Sequence, residues 1–240
     1  MAVAFDAVGP GASGTGTVSW THTPVGTPRA ILVGIVQLTT AADQVTGVTY
    51  GAVAMTEVAL SPLIKASGET NTVYYYFLGA SVPTGPQTVE FTVSGSATKA
   101  GNSISYTAAD DCEIVDTSVF QSDSVSDAAV TVSLAGRSCA VELAGFSGED
   151  AVTSVAPLSG WTSRGEGDFG AQVSVHYSYD TVSTVDVTAG FTQTSDDASF
   201  IAVAIGEIVA AGGRIMSSLV AHGGLVGRGG FVGPGGGLAG

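Results

Sequence analysis

The sequence predicts an all-β protein: an antiparallel β-sandwich of jelly-roll type over residues 1–208, followed by a glycine-rich C-terminal arm over residues 209–240. Three observations predict this class. Apolar and polar residues alternate with a period of two, turn residues separate these segments at short intervals, and no segment of about 10–15 residues has helical periodicity. Without helical segments between the strands, the crossover connections of a parallel α/β sheet are not expected.

The first half contains strands with different exposure. In TVSWTH, Val18, Trp20 and His22 share one face, whereas RAILVGIVQ is apolar on both faces and indicates a central strand. The segment ASVPTGP consists of turn residues and predicts a hairpin between the third and fourth strands. The predicted strands of this half are residues 17–22, 29–37, 72–79 and 87–95.

The second half repeats the pattern, with AGRS as a short hairpin turn after its first strand. Acidic residues are concentrated in segments where turns are expected, because Asp and Ser bond to their own backbone there. The predicted strands are residues 129–135, 138–146, 171–179, 184–191 and 199–208. The acidic segments expected in turns are residues 108–116, 122–127, 148–150 and 195–199.

Charge excludes one class of partner. Charged residues make up 12% of the chain, against about 25% in ordinary globular proteins. The net charge is −14, and the seven basic residues are scattered, so nucleic acid is not an expected partner. Residues 1–208 contain all 21 acids and five basic residues, a net charge of −16, whereas residues 209–240 contain Arg214, Arg228 and no acid.

The N-terminus MAVAFDAVGPG has no basic region followed by an apolar run, so no secretory signal is predicted. No uninterrupted apolar run reaches the length of about 18 residues that a membrane helix needs. We therefore expect synthesis in the cytoplasm and no membrane insertion.

The arm is predicted to begin at Val209, where alternation stops and glycine becomes dominant. Its last 18 residues form three hexads that open with paired glycines, GGLVGR, GGFVGP and GGGLAG, and residues 214–222 could form a short helix. Such a segment cannot fold alone, so its apolar residues are expected to be buried between chains or in a groove of a partner protein. The predicted assembly residues are Ile215, Leu219, Leu225, Val226, Phe231, Val232 and Leu238.

The sequence contains no motif that specifically indicates catalysis. No GxSxG elbow accompanies the histidines, and His176 alternates onto the outer face of its strand, which predicts a surface position. Two pairs of adjacent aspartates could act as glycosidase acids or bind calcium: Asp110 with Asp111, and Asp196 with Asp197. Solvent-exposed turns explain both pairs without either function. Cys112 and Cys139 are interpreted as buried free thiols or a bridge between strands. We expect no enzyme activity, cofactor or metal.

The N-terminal sixty residues resemble a diffuse family of bacteriophage and prophage-associated β-sandwich proteins. The similar features are an opening FDA, the strand SWTHT, a turn before RAILVGI, and the hairpin VTYGAVAMT. The glycine hexads also resemble segments of phage adhesins and fibres. The resemblance implies a virion structural protein of decoration, head-fibre or tail-fibre type and transfers no catalytic residue.

We therefore expect a non-enzymatic structural component of a phage virion, exposed on the particle in multiple copies. The arm would mediate homo-oligomerisation or attachment to other virion structural proteins. The alternative is a carbohydrate- or host-receptor-binding module tethered by the arm, in which Trp161 and Tyr177 contact a host surface glycan. A carboxylate-based glycan hydrolase is a third hypothesis.

Overall fold

The computed structural model describes residues 2–39, 44–149, 151–168, 172–179 and 181–208. Within these residues the chain forms an all-β body in which every strand pairing is antiparallel, as predicted. The strands of the first half are β1 Ala4–Val8, β2 Ala12–Gly14, β3 Val18–His22, β4 Ala30–Gln37, β5 Val45–Tyr50, β6 Val53–Ala54, β7 Thr56–Glu57, β8 Leu63–Lys65, β9 Asn71–Leu78, β10 Gln87–Val93 and β11 Lys99–Thr107. Those of the second half are β12 Cys112–Val132, β13 Cys139–Ser147, β14 Ala156–Pro157, β15 Trp161–Asp168, β16 Val173–Tyr179 and β17 Val187–Glu207, with a 3₁₀ helix at Val152–Ser154.

The strands form three sheets. The central sheet has the order β1-β11-β4-β9-β7, with β2 beside β11 and β8 beside β9. The outer sheet has the order β3-β10-β5-β6. The long-strand sheet has the order β12-β17-β13-β16-β15, with β14 beside β17. A body of three sheets differs from the single sandwich that the sequence predicts.

The central sheet is covered on both faces. On one face, Ile35 of β4 belongs to the same core as Trp20 and Phe91 of the outer sheet. On the other face, Leu32 belongs to the same core as Ile201 of the long-strand sheet. All eight residues of β4 are therefore buried, which confirms the interpretation of its doubly apolar sequence.

The third core lies within the long-strand sheet. Strands β12 and β17 each contain 21 residues and pair as a ribbon from end to end, with register irregularities between Ser122 and Asp127. Strand β13 pairs only with residues 198–206 of β17. The other half of the ribbon folds back, so that Phe191 shares a core with Leu143 and Tyr177.

Two hairpin predictions are wrong. Strand β9 lies in the central sheet and β10 in the outer sheet, so ASVPTGP connects two facing sheets. The turn at AGRS connects β12 with β13, but β17 lies between these strands. The VTYGAVAMT segment does contain a hairpin, because Thr49 of β5 pairs with Ala54 of β6. Gly51 and Ala52 both have positive φ, which matches the tight turns of two-residue hairpins.

The predicted acidic turns at 122–127 and 195–199 are also wrong, because both segments lie inside the long strands β12 and β17. They coincide with the irregular part of the ribbon, where the strands bend without ending. The predicted strands at 184–191 and 199–208 are accordingly parts of the same strand. Turn-forming residues here mark a change of direction within a strand.

Candidate functional site

The structure corrects the expectation that Trp161 and Tyr177 are exposed to a glycan. Trp161 is 5% exposed and its indole N–H donates to the carbonyl of Thr188 at 3.0 Å. Tyr177 has no exposed surface and packs edge-to-face with Phe191, with ring centroids 6.3 Å apart. Both rings belong to the third core, and neither can stack on a sugar.

The predicted assembly residues lie outside the described residues, and the role of the arm stays a prediction. These residues are Ile215, Leu219, Leu225, Val226, Phe231, Val232 and Leu238.

His22 occupies a buried polar contact between the outer and central sheets. Its Nδ1 lies 2.9 Å from Oγ of Ser103, which also accepts the indole N–H of Trp20 at 2.8 Å. Burial lowers the pKa of His22 to about 4, although the charge of Asp6 raises it. Ser103 is 1% exposed, so this Ser–His pair cannot reach a substrate from solvent. His22 is the last residue of β3 and is fully buried.

The paired carboxylates also differ from the prediction. Asp197 is 4% exposed, and its Oδ2 lies 3.0 Å from Nζ of Lys65, which is 2% exposed. The same ammonium contacts Oδ1 of Asp123 at 2.7 Å and the carbonyl of Ser67. Asp197 is therefore part of a buried ion pair. Within the described ranges, no group of three or more His, Cys, Asp or Glu residues could hold a metal ion.

The side of the long-strand sheet that faces the central sheet is polar along β16. Glu142 on β13 is 1% exposed and accepts a hydrogen bond from the Tyr106 hydroxyl at 2.5 Å. Burial raises the pKa of Glu142 well above its usual value, against the opposing effects of Tyr106 and Arg164. The Arg164 guanidinium lies 3.7 Å from the ring centroid of Phe5, and its Nε donates to Oγ of Ser178 at 2.5 Å. Polar side chains of the long-strand sheet therefore contact Phe5 and Tyr106 of the central sheet.

This polar layer opens into a cavity of about 200 Å³ between the central and long-strand sheets. The described residues that line the cavity carry no Asp, Glu, Lys or Arg side chain. Small residues of the β2 and β11 region form one side, and residues of β15 and β16 form the other. The lining residues are Pro10, Gly11, Ala12, Ser13, Ala100, Gly101, Asn102, Gly165, Ser174 and His176.

His176 is the ionisable residue among the described residues that line this cavity. It is 4% exposed, and burial lowers its pKa to about 4, so the imidazole is neutral at pH 7. A Cβ atom at Gly34 would lie 2.7 Å from its Cε1, so the glycine makes room for the ring. The expectation that His176 lies on an outer face is wrong, because the central sheet covers that face.

A wider groove of about 720 Å³ lies where two sheets end. Strands β7 and β12 line it, and each is the last strand of its sheet among the described residues. Leu60, 55% exposed, and Ile114 contribute apolar surface. Glu57, Glu113 and Asp116 contribute carboxylates.

Sequence reasoning identified neither the cavity nor the groove. One signal was present for the cavity: RAILVGIVQ is apolar on both faces, which requires a second layer beyond the first sandwich. The groove depends on which strands end their sheets, and alternation does not encode strand order.

No family model matches this chain, and no curated protein or solved structure matches it either. Helical structure in the described ranges includes nothing with the length and apolar character of a membrane span.

Proposed function

We propose that the protein is a non-enzymatic structural component of a phage virion, exposed on the particle surface in multiple copies. The glycine-rich arm mediates oligomerisation or attachment to other virion proteins. In this role the body serves as a rigid acidic unit, and assembly surfaces on it make the contacts between copies or with neighbouring proteins.

The groove between β7 and β12 is the observation that carries this proposal. The last strand of a sheet has unpaired N–H and C=O groups that can pair with another chain. Here two such strands lie beside the same groove, together with the exposed side chain of Leu60. Apolar surface next to strands that end their sheets within the described ranges is typical of a surface that associates with protein.

The residues that carry the phage resemblance also support the proposal. Trp20 from SWTHT, Ile31 and Val33 from RAILVGI, and Tyr50 and Met55 from VTYGAVAMT belong to one core. The similar motifs therefore form the sandwich of the outer and central sheets. A resemblance concentrated in one core is expected for a shared structural unit, because these positions determine packing.

Within this proposal the first sandwich is of jelly-roll type. Its strands alternate between facing sheets along the chain: β3, β5 and β10 lie in the outer sheet, and β4, β9 and β11 lie in the central sheet. Repeated crossing between two antiparallel sheets is the feature that jelly rolls share.

Labelling of intact particles tests the proposal. Antibodies raised against the body should decorate particles purified from a lysate of the producing host, at many positions on each particle in electron micrographs. Pre-incubation with purified protein should abolish the labelling. Recovery of the protein only in the soluble host fraction, with unlabelled particles, would contradict a virion role.

A further inference from the structure

The groove between β7 and β12 is negatively charged. Its described lining includes Glu57, Glu113 and Asp116, and none of the described lining residues is Lys or Arg. Oε1 of Glu113 lies 2.8 Å from Nη1 of Arg137. The other two carboxylates accept hydrogen bonds from neutral serine groups, which leave the negative charge in place. The groove therefore attracts a segment that carries positive charge.

The groove also has apolar surface. The side chain of Leu60 is 55% exposed, and its backbone has a φ of 66°, a region that bulky residues rarely adopt. Backbone strain therefore accompanies the exposure of this side chain. Phe77 and Ile114, both half-buried, also line the groove. A segment that fills it is expected to supply apolar side chains as well as positive charge.

The walls of the groove are suited to an extended segment. Six consecutive residues of β12, residues 112–117, line it. Among the described residues, β12 ends the long-strand sheet and β7 ends the central sheet. The backbone groups of such strands can pair with an added strand. An added segment of about six residues has the length of this part of β12.

The C-terminal arm is the part of the sequence that has the required charge. It contains Arg214, Arg228 and no acid, whereas residues 1–208 have a net charge of −16. Two bodies therefore repel each other, so the body of a second copy is not the expected occupant. Of the three hexads, only GGLVGR, residues 223–228, combines two large apolar residues with a basic residue. Its glycines permit close approach to another backbone.

The position of Ile208 favours the arm of a second copy over the arm of the same chain. The N–H of Ile208 donates to the carbonyl of Asp111 at 2.8 Å, next in sequence to Cys112 of the groove. Because β12 and β17 are antiparallel, β17 runs toward the beginning of β12 and away from the rest of the groove. A segment that follows Ile208 would have to reverse its direction to lie along the groove of its own body. A segment of a second copy needs no reversal.

We propose that the groove binds residues 223–228 of a second copy as an extended segment. Leu225 contacts the exposed side chain of Leu60, and Arg228 lies near the carboxylates. This inference rests on the proposed function, because it gives the assembly arm its binding site and names a second copy as the partner. Each copy has both a groove and an arm, so the contact can repeat from copy to copy.

Two full-length variants test the contact. The groove variant carries Glu57→Lys and Leu60→Asn, and asparagine tolerates the positive φ at this position. The arm variant carries Leu225→Asn and Arg228→Glu. Light scattering over a concentration series should give each variant a dissociation constant at least about tenfold above that of the natural protein. Val25→Asn, at an exposed apolar side chain outside the groove, is the control and should keep the natural mass.

A mixture of the two variants separates a direct contact from a general effect on assembly. The groove variant keeps the natural arm, and the arm variant keeps the natural groove. At a concentration where each variant alone is monomeric, an equimolar mixture should therefore form heterodimers. Circular dichroism checks that both variants are folded.

Three results would overturn the inference. The first is that the folded groove variant keeps the mass of the natural oligomer, in which case the arm still mediates assembly but binds elsewhere. The second is that the mixture contains only monomers. The third is that the natural protein is monomeric at every concentration, which leaves the groove to its own arm or to a different protein. None of these results bears on the particle labelling that tests the virion role.

Discussion

The ring centroids of Phe191 and Phe200 lie 5.7 Å apart, although both residues belong to β17. Nine residues of straight strand would separate them by about 30 Å. The ribbon of β12 and β17 therefore folds back on itself, and both rings are fully buried in the core that this fold creates. Phe120 on β12 also stacks on Phe200, with ring centroids 5.4 Å apart.

Replacing Phe200 with alanine tests the folded ribbon. The change removes a buried ring that contacts both Phe120 and Phe191, so we expect the free energy of unfolding to fall by about 3–5 kcal/mol. Urea denaturation measures the loss. Val25→Ala, at a side chain that is 87% exposed, is the control and should change stability by about 0.5 kcal/mol or less. A loss below about 1 kcal/mol for Phe200→Ala would show that the ring is not in a packed core.

The ion pair of Lys65 predicts an unequal effect of two substitutions. Lys65→Met leaves the buried carboxylate of Asp197 without its cation, which should lower the free energy of unfolding by about 3–5 kcal/mol. Asp123→Asn removes a partner whose side chain is 57% exposed, so its cost should be about 0–1 kcal/mol. Urea denaturation of both variants measures the difference. Equal, small losses would mean that the Lys65–Asp197 contact is solvated.

The buried histidine predicts sensitivity to acid. Burial holds the pKa of His176 at about 4, against 6.5 in the unfolded chain. The unfolded chain therefore binds the proton first, and stability falls as the pH decreases from 6.5 to 4. The contribution of this residue to the loss should be about 3 kcal/mol. Unfolding of the natural protein and His176→Phe, compared across this range, should show the smaller acid-dependent loss in the variant. Identical pH profiles would contradict a buried neutral imidazole.

The two cysteines should be free thiols. Cys112 lies opposite Glu207 and Cys139 opposite Gly206, on the two sides of β17, so two strand spacings of about 4.8 Å separate them. A disulfide needs Cα atoms within about 7 Å. Alkylation without reductant should therefore modify two thiols in the unfolded chain. In the folded protein it should be slow, because burial raises the pKa of Cys112 to about 12. Absence of alkylation in unfolded, unreduced protein would indicate a bridge.

Alternation predicted which residues share a face, but not what covers that face. His176 alternates with Val173, Val175 and Tyr177, so it was expected to lie on the outer face of its strand. The structure places its ring against Gly34 of the central sheet. The difference arises because a polar face can be buried where hydrogen bonds and a cavity accommodate it. The sequence of β16 alone does not indicate that the central sheet covers this face.

The order of the strands within each sheet could not be predicted from the sequence either. The strands β4, β9, β10 and β13 were predicted close to their observed positions, since these segments are rich in β-branched and aromatic residues. The strands with which they pair were not predicted, because turn residues indicate a change of chain direction without showing which sheet the next strand joins. The serine- and aspartate-rich segments near Ser122 and Ser195 show the same limit, since the chain bends there and stays paired.

The solution mass of the full-length chain, compared with a chain that ends at Ile208, tests the central claim of assembly through the arm. Residues Met1–Ile208 form one compact unit, so the shortened chain should fold, which circular dichroism checks. Light scattering should show a defined oligomer for the full-length chain and a monomer for the shortened one. Two monomers, or two identical oligomers, would contradict self-assembly through the arm.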